Sequence, residues 1–68
     1  VVSKKDIRAI ANLLNKYEEE FQELNAQEPR SARQISDIQM QVAGVNDVID
    51  ALDINYNDIY RAQRGDPI

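Results

Sequence analysis

The stretch Asn25-Ala26-Gln27-Glu28-Pro29-Arg30-Ser31 interrupts two long apolar stripes at a single place, and its reading decides the fold. A residue that precedes proline is driven out of the helical region, so a helix running into this stretch must end before Pro29. Immediately after it, Ser31-Ala32-Arg33-Gln34 has the form of a capping box, in which the serine hydroxyl accepts from the Gln34 amide and the Gln34 side chain reaches back. The pattern predicts a helix up to about residue 26, a turn over about 27–31 and a second helix from about 32.

Upstream of the turn, Ile7, Ile10, Leu14, Tyr17, Phe21 and Leu24 recur at alternating steps of three and four. That spacing gathers them into one stripe on a helix. Ser3 and Asp6 form a capping-box variant at its start, with Val2 and Ile7 placed as a hydrophobic staple, so the helix is expected to begin near Lys4. Downstream, Ile35, Ile38, Val42, Val45, Ile49, Leu52, Tyr56 and Ile59 continue the same rhythm to a stop at Gly65 and Pro67, with Arg61 and Arg64 opposing the helix dipole. The expected second helix spans about 32–64. Its weak point is Asp53-Ile54-Asn55-Tyr56-Asn57-Asp58, rich in residues that favour caps and turns, where the helix is expected to kink or to restart from Asp53 or Asn55 as a short third helix.

A turn this short forces the two helices antiparallel. Counting from it pairs Leu24 with Ile35, Phe21 with Ile38, Tyr17 with Val42, Leu14 with Val45, Ile10 with Ile49 and Ile7 with Leu52. Each layer is apolar on both sides, so the stripes agree with the turn and with one another. The fold class expected is all-α, a single helical-hairpin, coiled-coil-like domain over residues 1–68. Two helices leave both edges of their seam open to water. Ala9, Ala11 and Leu13 widen the first stripe, and Val48 and Ala51 the second, as a surface for another hairpin. A homodimer forming a four-helix bundle is the simplest closed solution.

Composition narrows the chemistry. With 68 residues, no cysteine and no histidine, the chain has neither disulfides nor Cys or His metal ligands to supplement a small core, which leaves packing and association. The same absence excludes Ser-His-Asp, Cys-His and Glu-x-x-His chemistry. Carboxylates one turn apart, Glu20 and Glu23 on one helix and Asp47, Asp50 and Asp53 on the other, have the spacing that helical pyrophosphatases use for a divalent cation. The register separates these two sets within one hairpin, so they read as solvated faces. The two glycines stand apart and form no phosphate loop; Gly44, in mid-helix, either admits a neighbouring helix or is simply tolerated. No metal, cofactor or enzymatic activity is expected. The charged opening Val-Val-Ser-Lys-Lys-Asp is unlike a secretory signal and no window has the apolar length of a membrane span, so the expected location is the cytoplasm, without membrane contact.

Two surface features remain. The second helix, as counted, outruns the first, leaving Ile59 and Tyr60 with Val1 and Val2 as their only neighbours. Tyr56, Ile59, Tyr60, Arg61 and Arg64 thereby become the candidate partner-binding residues, the alternative being that the apolar ones pack internally. Lys4, Lys5 and Arg8 join Arg61 and Arg64 at one pole, so that five of eight basic residues gather there beside Asp6 and Asp58. The middle of the rod is acidic, and the net charge is −4.

The function these features favour is that of a small non-enzymatic adaptor or regulator, acting through protein–protein contacts and self-association. Short acidic helical proteins of this plan are common in phage and plasmid-borne systems. A second reading is a dimeric four-helix bundle that binds nucleic acid through Lys4, Lys5, Arg8, Lys16, Arg61 and Arg64; in architecture alone this resembles the plasmid-encoded repressor-of-primer proteins, dimers of hairpins that recognise paired RNA loops. The acidic balance weighs against it. A third is a subunit or fragment of a larger coiled-coil assembly, suggested by a start without Met and a stripe that runs on to Ile59.

Overall fold

A computed structural model describes residues 2–68 and contains three helices: α1, Lys4–Ala26; α2, Ala32–Ala51; and α3, Tyr56–Gln63. α1 begins where its capping signals place it. Ser3 Oγ accepts from the Asp6 amide at 3.2 Å, and Asp6 Oδ2 accepts from the Ser3 amide at 3.4 Å. At α2 the Ser31 hydroxyl accepts from the Gln34 amide at 3.3 Å. Among the described residues, however, Gln34 makes no return bond, so the reciprocal box stands at α1 instead. The intervening Gln27 is extended, and the chain passes through a cis Glu28–Pro29 bond into α2.

The two long helices pack together, and Phe21 lines one groove with Ile38, Tyr17 and Val42. The expectation of one helix from about 32 to 64 is corrected at its weak point. α2 ends at Ala51, Leu52 caps it, and Asp53 takes the left-handed conformation at φ 55°. The Asp53 amide donates to the Asp50 carbonyl at 3.1 Å and the Ile54 amide to the Ile49 carbonyl at 3.0 Å. This pair of bonds satisfies the last carbonyls of α2 while turning the chain, the arrangement of a Schellman stop with aspartate in the place glycine usually takes. Two residues after Asp53, Asn55 caps the start of α3, its side chain accepting from the Asn57 amide at 2.9 Å. Thus the polar run restarts the helix at Asn55, one of the two points its composition suggested. α3 ends in the same way, with Gly65 at φ 80°, its amide bonded to Ala62 and the Asp66 amide to Arg61.

Because the chain turns at Asp53, the second stripe does not overhang the first. α3 packs against α1, and Ile59, Ala11 and Ile49 are all fully buried, one from each helix, with Ile38 nearly so. Leu52, expected opposite Ile7, stands half-exposed instead, and Ile59 takes the interior place. The reason is steric economy: eight residues of α3 cover one side of the lower seam, where a straight α2 would have left Ile59 in water. Val1, expected beside Ile59, lies outside the described residues. Gly44 lies on exposed helix, and a Cβ there would meet no heavy atom within 4 Å, so nothing among the described residues uses its lack of a side chain.

Candidate partner-binding surface

Two polar ties fix α3. Asn15 of α1 donates through Nδ2 to the Gln63 carbonyl at 3.1 Å and accepts from Gln63 Nε2 at 3.3 Å, both residues being half-buried. At the other end the Tyr56 hydroxyl donates to Asp50 Oδ1 at 2.8 Å, with the Asn46 carbonyl at 3.3 Å. The bond to Asp50 is the main reason the Tyr56 phenol titrates above its ordinary value; burial and the nearby Asp50 and Asp47 charges push the same way. Its ring lies 6.2 Å from that of Tyr60, tilted by 40°.

The five candidate residues therefore fare differently. Ile59 is in the interior, which corrects its place on an exposed overhang. Tyr56 is half-buried and engaged with α2, while Tyr60 is about half exposed. Arg61 lies 3.8 Å from Asp58, and Arg64 Nε 3.1 Å from Asp66. Lys4, Lys5 and Arg8 are exposed on the first turns of α1, and Arg8 borders a shallow hollow with Asn12, Ala62, Gly65, Asp66 and Pro67. The basic pole thus has Arg8 beside the end of α3, and its other two arginines, Arg61 of α3 and the cap residue Arg64, already face carboxylates.

An apolar concavity lies elsewhere. α3 covers only part of its side of the α1/α2 seam, and beyond Gln63 the seam opens into a groove of about 370 Å³ walled by Leu14, Tyr17, Phe21, Ile38 and Val42, with Glu18 and Gln39 at its rim. These side chains belong to the stripe read from sequence as core. Apart from Ile38, which is nearly buried, they are partly exposed because α3 is short, which no periodicity revealed. Glu20 and Glu23 line a second hollow with Asp37, Gln34 and Gln27. Among the described residues no group of three or more potential ligands is arranged to hold a metal ion, and no helix is long and apolar enough to cross a membrane. No protein-family model, curated protein or solved structure matches this chain.

Proposed function

We propose that this protein is a non-enzymatic helical adaptor or regulator that works by capturing a helix of another protein and by self-association. The observation that carries the reading is the groove beyond Gln63. α3 is itself an amphipathic helix, packed on α1 and tied to α2 through Tyr56, and the groove that opens beyond it offers Leu14, Tyr17, Phe21 and Val42, over the buried Ile38, to a second helix. The acidic Glu18 at the rim favours a partner with a basic residue flanking its apolar face. Tyr60, half exposed on α3 and outside the groove's lining, is proposed as a further contact for the same partner.

The nucleic-acid reading is weaker, because two of its six cations, Arg61 and Arg64, already neighbour carboxylates and a net charge of −4 opposes a polyanion. The test of adaptor function uses the rim, which can be altered without touching the core. Glu18→Arg combined with Gln39→Arg should leave the far-UV circular dichroism unchanged and abolish retention of those proteins that the wild type captures from source-cell extract. Equal retention by both proteins would refute the groove as the capture site.

A further inference from the structure

Resting on the self-association part of that reading, we infer that the second copy binds the side of the α1/α2 seam opposite α3, through Leu13, Val48 and Leu52. The opposition follows from helix geometry. Residues two apart on a helix point about 200° away from each other. Asn15 faces α3, so Leu13 points away from it; Asp50 reaches Tyr56 at the start of α3, so Val48 points away as well. Leu13, Val48 and Leu52 are three of the five exposed large apolar side chains among the described residues, at 37%, 50% and 50% exposure. By this geometry Leu13 of α1 and Val48 of α2 fall on one side of the seam, and Leu52, the cap of α2 and two residues from Asp50, falls with them, on the side of the half-buried Ile10 and Val45. The other two, Met40 and Tyr60, do not join them: Met40 lies two turns further up α2, and Tyr60 belongs to α3.

The levels match as well. Counted from the Phe21–Ile38 level, Leu13 stands opposite Asn46, within one turn of Val48. A two-fold axis along the rod preserves level and exchanges sides, so it sets Leu13 of one copy against Val48 of the other, and the reciprocal contact forms by the same operation. It also lays α1 of one copy antiparallel to α2 of the other, repeating the dipole arrangement within each chain. The result is a closed four-helix core with each α3 on an outer face.

The chain exposes 5097 Å². A compact monomer of the same mass would expose about 4,400 Å², so about 700 Å², shared by this face and the groove beyond Gln63, is in excess, close to the ~800 Å² that each partner contributes to an ordinary stable interface. A second copy provides that area with a complementary patch, which no other partner is required to have.

Analytical ultracentrifugation of the whole chain over the micromolar range tests this. The wild type should sediment as a dimer. Leu13→Lys and Val48→Glu should each raise the dimer dissociation constant at least tenfold with helicity unchanged, since both residues are exposed; Leu13→Ser and Val48→Ser serve if the charged variants lose helix. An equimolar mixture of the Lys and Glu variants should recover dimer, because the opposed charges meet across the two-fold, whereas Tyr60→Ala on the far face should dimerise normally. A wild type that stays monomeric would overturn self-association and this face with it. A wild-type dimer indifferent to both substitutions, or sensitive to Tyr60→Ala instead, would overturn the face alone and leave self-association standing.

Discussion

Asp53 bears the sharpest backbone demand in this chain. Its φ of 55° is a conformation in which a Cβ crowds the backbone, and its carboxylate lies at the negative end of the α2 dipole. Glycine is freed of both penalties, although it gains more entropy in the unfolded chain. Asp53→Gly should therefore stabilise the fold by about 0.5–1 kcal/mol, read as a higher urea midpoint at unchanged slope. Gly65, in the same role at the end of α3, already has the preferred residue. Tyr56 gives a second, pH-dependent expectation. Its hydroxyl donates to Asp50, which raises the folded-state pKa above the unfolded one. The protonated phenol is the stabilising form, so its contribution is fully present below the ordinary tyrosine range and is lost as pH rises through the folded-state value. A spectrophotometric titration should show Tyr56 ionising later than a free phenol, and Asp50→Asn should bring it back towards the ordinary value. A titration curve unaltered by Asp50→Asn would refute the assignment.

α3 is an element that could not stand on its own. Eight residues are far below the length at which an isolated helix persists in water. Its own signals are modest: the Asn55 cap, Asp58 in the first turn and Arg61 in the last. What holds it is the fully buried Ile59, with the Asn15–Gln63 pair at one end and Tyr56 at the other. Ile59→Ala should consequently cost about 2–5 kcal/mol, the range for truncating a buried branched side chain, and should release α3 selectively. Tyr60→Ala, one residue on but half exposed, should stay within about 0.5 kcal/mol. Chemical denaturation of the two variants, with amide hydrogen exchange along residues 55–66, separates these outcomes. Equal losses from both would mean that α3 is not anchored through Ile59.

The molecule measures 43 × 23 × 15 Å, and its completely buried side chains among the described residues are Ala11, Ile49 and Ile59. So thin an interior makes a small domain's margin narrow, and a shared core is the direct remedy. If the dimer proposed above is the folded unit, its thermal midpoint must depend on protein concentration, since dissociation accompanies unfolding. A tenfold increase adds about 1.4 kcal/mol of association free energy, which for a domain this size moves the midpoint by several degrees, on the order of 5 °C. A midpoint that stays fixed across two decades of concentration would count against a coupled dimer.

Local chemistry was enough to place the helix starts at Ser3 and Ser31, the turn at Pro29 and the stripe on α1, because caps, proline and three-four spacing act over a turn or two of chain. It also marked Asp53–Asp58 as the place where α2 would falter. The direction taken after that break is a different kind of fact. A kink, a straight continuation and a reversal all keep the same apolar rhythm, and the choice among them rests on burying Ile59 against Ala11 and Ile49 and on matching Asn15 to Gln63, 48 positions away. Contacts of that separation leave no periodic trace. The packing of α3 therefore decided which stripe residues became interior, which were left to line the groove beyond Gln63, and on which side Leu13 and Val48 remained uncovered.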